Sequence, residues 1–194
     1  MPRAGLSRDE VVAAAADLAD DVGIAGLTMG LLAERLGVRT PSLYKHVANL
    51  ADLRHRLATR TMTEFGDVIG DAVKGRSGLD ALTAMLTASR RYALTHPGRY
   101  AIAVDEGYQG PADPMLAAGS RVADTIAAVL SGYGIGKAEM HHAIRAIRSA
   151  MDGFTMLERG KGFQWDPPPE ESFGWMIGFL DRGLRATCGH VAAG

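Results

Sequence analysis

At 194 residues, with 47% apolar and 22% charged side chains, the chain can bury a real core and has room for a small head plus a body of about 100–150 residues. A net charge of −1 excludes polyanion binding through basicity spread over the whole surface, and the lone Cys188 excludes an intrachain disulfide or a multi-cysteine metal site, which fits a reducing cytoplasm. The Ala-rich run from Val11 to Ala16 is too short, and too closely bracketed by acids, to be a signal peptide or a membrane span.

Met1 to Leu6 reads as a loose arm with Arg3 in reach of phosphate. Ser7 and Glu10 then form a capping box, with Leu6 stapled onto Val11, and Val11, Ala15, Leu18, Ala19 and Val22 make the apolar face of a first helix that ends at Gly23 and Gly26. Thr28 caps a second helix that buries Leu31, Leu32 and Leu36 and ends at Gly37 in a left-handed residue. Thr40 caps a third, whose first residue, Pro41, lacks an amide that would be orphaned there anyway. With Leu43 and Val47 facing inward, Ser42, Tyr44, Lys45 and His46 are left outside, beside Arg39 and Thr40.

A fourth helix runs from about Leu50 to Ile69. Further helices are expected at about Leu79 to Thr95, after Pro97, and at about Met115 to Leu130, Lys137 to Glu158 and Glu170 to Thr187. Gly and Pro clusters separate them, and no stretch alternates as a strand, so the expected fold is all-α. The expected division is a three-helix head with a helix-turn-helix at residues 1–52 and a larger helical body at 53–194.

The neutral total conceals a local imbalance. Between Arg35 and Arg60 six bases stand against Asp52 alone, a net +5. Phosphate attraction decays over a Debye length of about 10 Å, so this segment's own charge is what a nucleic acid would meet.

The segment from Ser7 to Leu57 resembles the N-terminal domain of the TetR family of bacterial transcriptional regulators. The resemblance rests on Gly23, Leu27 and Thr28, then Leu32 to Val38, Ser42 to Val47, Asn49 and Leu53. It implies that the helix opening near Thr40 and Pro41 enters the major groove while the helix from Thr28 crosses the phosphate backbone. By the same resemblance Thr28, Tyr44 and His46 hold phosphates, and Arg39, Thr40, Ser42 and Lys45 stand where bases are read. The side-chain chemistry agrees, because Arg and Lys donate to guanine and small hydroxyls tolerate close approach to base edges. Where the family commonly has a lysine at the start of the fourth helix, this chain has Leu50.

The body resembles a C-terminal domain type of the same family through Tyr92, His96-Pro97, Tyr100, Gly153-Phe154, Leu157-Glu158, Gly162-Phe163, Ser172-Phe173, Ile177-Gly178 and Gly183-Leu184. Asp152 replaces a histidine of that pattern and a nearby tryptophan is missing, so ligand chemistry tied to those positions does not transfer. Ala143, Ala146, Ala150 and Gly153 form a small-residue stripe, as do Gly174 and Gly178, and such stripes let two helices from each subunit pack closely into a homodimer. The head asks for the same thing, since one short recognition helix reads few bases and a two-fold pair reads half-sites about 34 Å apart. Met85, Tyr92, Tyr108, Met115, Met151, Phe154, Trp175 and Phe179 are the expected lining of a small-molecule effector cavity, among other large residues that serve as core.

The expectation is therefore a cytoplasmic, ligand-responsive regulator, a repressor by family precedent, that binds a palindromic operator and needs no cofactor, metal or membrane. An enzyme is the rival from another class. Glu139 and His142 have the spacing of a carboxylate-bridged di-iron site, but the only second copy, Asp52 with His55, lies in the head. A ligand-free architectural binder would need basicity spread over the molecule.

Overall fold

A computed structural model describes residues 6–191, and side chains as far as residue 187. The readings of Arg3 and of the Cys188 side chain lie outside the described residues. The elements are α1 (Arg8–Gly26), α2 (Met29–Leu36), α3 (Thr40–Leu43), α4 (Leu50–Val73), α5 (Gly78–Thr95), α6 (Pro97–Asp105), α7 (Pro114–Ser131), α8 (Lys137–Arg159) and α9 (Pro169–Val191). No strand occurs among the described residues, and the fold is all-α with an N-terminal helix-turn-helix. The chain divides into two compact units, Met1–Glu64 with Thr95–Gly119 and Phe65–Leu94 with Ser120–Gly194.

In the first unit, the capping box forms as the sequence requires: the Ser7 hydroxyl accepts from the Glu10 amide at 3.2 Å and the Ser7 amide donates to the Glu10 carboxylate at 2.7 Å. Val11, Val12, Ala15, Ala16, Leu18 and Ala19 are buried along α1, which packs against α2 and α6. Two expected core residues are not core. Val22 is 43% exposed, because its side chain folds over Gly26, where an added Cβ would lie 2.8 Å from it. Leu31 is 42% exposed because it shares a face, four residues apart, with Arg35, which turns outward to Asp21; Met29, Leu32 and Ala33 bury the other face. Gly23 breaks the helical path of α1 at φ 74° rather than ending it, and the helix closes at Gly26.

In the second unit, α5 buries a broad face including Leu82, Met85, Leu86 and Tyr92. α8 and α9 pack on each other, but each buries only a narrow stripe: Ile147, Met151 and Thr155 on α8, and Phe173, Ile177, Asp181 and Leu184 on α9. Arg90 joins α5 to this pair by bonding Glu158 and Glu170, with its guanidinium 4.9 Å from the centre of the Phe173 ring. Tyr133 donates to Asp181 at 2.7 Å, and Arg185 donates to the same carboxylate.

Candidate nucleic-acid interface

The Thr28 hydroxyl accepts from the Leu31 amide at 3.2 Å and starts α2; Gly37, at φ 64°, ends it and bonds back to Ala33 and Glu34. α3 is shorter than the spacing predicts, at four residues. Arg39, not Thr40, occupies its N-cap, and no side-chain cap bond forms there. The helix stops because the next one needs the chain: Asn49 accepts from the Asp52 amide at 2.9 Å, and the Asp52 carboxylate accepts from the Ala48 amide at 2.8 Å. Between these ends, Tyr44 to Val47 form a tight turn in which the His46 and Val47 amides both donate to the Leu43 carbonyl.

Leu43 and Val47 are buried and anchor this turn from beneath. Their neighbours point away: Tyr44 is 52% exposed, Lys45, Arg39, Pro41 and Thr28 are exposed, and Thr40, Ser42 and His46 are half-buried. With that exposure Tyr44 is no packing residue, and its aromatic hydroxyl beside a lysine is available to a phosphate.

The six bases of the segment separate into two groups. Arg35 pairs with Asp21 at 2.5 Å, Arg56 with Asp52 at 2.9 Å and Arg60 with Glu64 at 2.7 Å, while Arg54 donates to the Ile24 carbonyl at 2.8 Å. Arg39 and Lys45 have no ion-pair partner among the described residues. The two uncommitted cations of the six are thus the two on the exposed turn.

One residue that pattern reading overlooked is Arg8, whose Nε donates to the His46 carbonyl at 3.0 Å across 38 positions and so ties the start of α1 to the exposed turn. Only a basic residue in the first turn of α1, where acids are favoured by the helix dipole, hinted at it.

The eight residues expected to line a cavity do not form one group. Tyr108 and Met115 belong to the first unit and Met85, Tyr92, Met151, Phe154, Trp175 and Phe179 to the second. Met85, Tyr92, Met115 and Met151 are buried, and Phe154 is half-buried against Phe163 and Phe173. Tyr108 is half exposed, and Trp175 and Phe179 stack on each other at 5.4 Å on the open side of α9. Of the small residues on α8 and α9, Ala146 and Gly174 are exposed and Ala143, Ala150, Gly153 and Gly178 are half-buried. A Cβ added at Gly153 or Gly174 would meet nothing within 4 Å.

Residues 11–57 match the family described as bacterial regulatory proteins, tetR family, and residues 82–180 match the tetracyclin repressor-like C-terminal domain. The chain is 38% identical over 193 residues to the uncharacterized HTH-type transcriptional regulator Rv0681 of Mycobacterium tuberculosis, covering 98% of this chain and 88% of that protein. It is 31% identical over 187 residues to the uncharacterized HTH-type transcriptional regulator YobS of Bacillus subtilis, covering 94% and 95%. Among solved structures, BioQ with its double-stranded DNA operator superposes with a TM-score of 0.68 at 25% identity, over 93% of this chain and 99% of that one.

Proposed function

The chain belongs to the TetR family of bacterial transcriptional regulators, a DNA-binding regulator and not an enzyme, and from that premise we propose that it is a repressor which binds a palindromic operator as a homodimer and is released by a small, mostly apolar effector. The observation that carries the DNA-reading part is the pair of uncommitted cations, Arg39 and Lys45, on a turn held from beneath by Leu43 and Val47. In this reading Arg39, Thr40, Ser42 and Lys45 read base edges, Pro41 fixes the first turn of α3 among them, and Thr28, Tyr44 and His46 hold the backbone. The related BioQ structure, which holds operator DNA, supports it.

Residues 1–52 read and residues 53–194 pair and sense. Pairing uses α8 and α9, whose Ala143, Ala146, Ala150, Gly153, Gly174 and Gly178 admit close approach of a second copy, with the stacked Trp175 and Phe179 at hand. The effector is met by Met85, Tyr92, Met151 and Phe154 in the second unit. It favours one arrangement of the two subunits and lowers DNA affinity; by linkage, operator DNA weakens the effector by the same factor. No helix among the described residues is long and apolar enough to cross a membrane, and the site of action is the cytoplasm, where the DNA is.

The test measures binding of the full chain to palindromic fragments from upstream of its own and adjacent genes against random DNA at physiological salt, with extracted apolar metabolites added. Sequence preference that such ligands abolish supports the reading; equal affinity for all DNA, unmoved by ligand, would overturn it.

A further inference from the structure

The first unit holds a cleft of about 730 Å³ bounded by the start of α1, the first half of α4 and the connector of residues 109–114 that leads into α7. That volume lies within the range of small-molecule sites, about 300–1,000 Å³. Its walls carry acids and bases in similar numbers, but two of the three acids, Asp52 and Asp113, are already committed. Asp113 accepts from the Gln109 amide at 2.7 Å and the Met115 amide at 2.8 Å and lies 3.0 Å from His55 Nε2. The Gln109 amide first, and then the Met115 amide and His55 against the cost of burial, hold its carboxyl below the usual carboxylate range. Asp52 accepts from the Ala48 amide and lies against Arg56.

The bases are not. Among the described residues Arg8 spends only its Nε, on the His46 carbonyl, and Arg60 only its Nε, on Glu64. Arg56 approaches Asp52 at 2.9 Å, yet its buried Nε–H makes no aligned hydrogen bond. Three guanidinium groups therefore keep N–H donors facing a space in which Asp9 is the one carboxylate without a bond to a described residue. A cavity with surplus forked donors matches an acceptor-only occupant, which is the chemistry of a carboxylate or phosphate.

We propose that this cleft is a second effector site, distinct from the apolar effector of the body, which takes a small anion and acts on the DNA-reading turn through Arg8. The link is a single hydrogen bond. The guanidinium that lines the cleft also holds the carbonyl of His46, the residue after Lys45. An anion that recruits Arg8 competes for that donor, releases the turn and weakens operator binding. The regulatory half of this inference rests on the DNA-reading assignment; the site itself does not.

The test uses the full chain with sodium phosphate or sodium citrate against sodium chloride at matched ionic strength. Melting is followed without DNA, and operator affinity is measured by fluorescence anisotropy. Either anion should raise the melting temperature, as any ligand of the native state does, and weaken operator binding about tenfold, within the usual range of allosteric coupling. Arg60→Gln should lose both effects with basal operator affinity unchanged. Arg8→Gln should keep a rise in melting temperature while its operator affinity no longer responds. No melting shift in the parent chain, or an equal shift in Arg60→Gln, overturns the site. A shift that leaves operator affinity unmoved overturns the regulatory link alone, and failure of the chain to bind any operator strikes the DNA-reading assignment while the melting result stands.

Discussion

Gly98 meets the carbonyl of Ala19 so closely that a Cβ added at Gly98 would lie 1.7 Å from that oxygen. The approach lets Asp20, next along α1, accept from the Gly98 and Arg99 amides at 2.9 Å each and so cap α6 from another helix. Arg99 closes the clamp on Asp20 and Asp17.

Gly98→Ala must push α1 and α6 apart, because backbone cannot yield as a side-chain end can. Overpacking of this kind costs about 3 kcal/mol, and the expected outcome is a lower denaturation midpoint at unchanged m-value. Asp20→Ala removes both the cap and the carboxylate that Arg99 meets, and should cost at least about 1–2 kcal/mol in the same measurement.

Arg39→Ala and Lys45→Ala should each weaken operator binding by about 1–3 kcal/mol where the side chain reads a base, relaxing preference at that position. A phosphate contact would instead lower the salt slope by about 1 and weaken all sequences alike. Arg35→Ala, which removes an ion pair with Asp21 rather than a free charge, should leave both affinity and slope close to the parent. Titration of each variant with a fluorescent operator at several salt concentrations checks all three.

Asp181 is held below the usual carboxylate range, first by Arg185 and then by the Tyr133 hydroxyl, against the cost of burial. A depressed carboxyl contributes stability that is present above its unfolded pKa, about 3.9, and is lost as pH falls through the lower folded value. Tyr133→Phe removes one donor to a buried carboxylate and should cost about 1–2 kcal/mol near neutral pH. The loss should shrink as pH falls from about 4 through the lower folded value, below which the carboxylate is protonated in both states, so parent and variant unfolding curves converge in acid.

Ala146→Arg places a long charged side chain on an exposed position of α8, with little consequence for the fold of a single chain. If α8 and α9 pair two copies, the variant should sediment as a monomer at micromolar concentration with its helical circular dichroism intact, and operator affinity should collapse because a single turn reads too few bases. A dimer of undiminished stability would remove α8 from the pairing surface.

Much of the architecture could be read from local chemistry. The Ser7–Glu10 capping box, the Thr28 cap, the left-handed Gly37 and the inward Leu43 and Val47 depend on groups within a turn or two of each other, so spacing alone identifies them. The errors lie where a neighbour in space overrules the local pattern. Val22 and Leu31 fit the apolar period but are turned outward by Gly26 and by Arg35, and α3 is cut short by the caps of α4.

The sequence by itself determined the all-α class and the helix-turn-helix, because periodicity, capping and turn chemistry are short-range. Only the tertiary structure decided which of the six bases remain free. Arg35 finds Asp21 across 14 positions and Arg54 finds Ile24 across 30, and such partnerships depend on helix packing rather than on spacing. The same holds for the seat of Gly98 on Ala19 and for the cleft whose arginines keep donors to spare: each exists only once distant segments are brought within bonding distance.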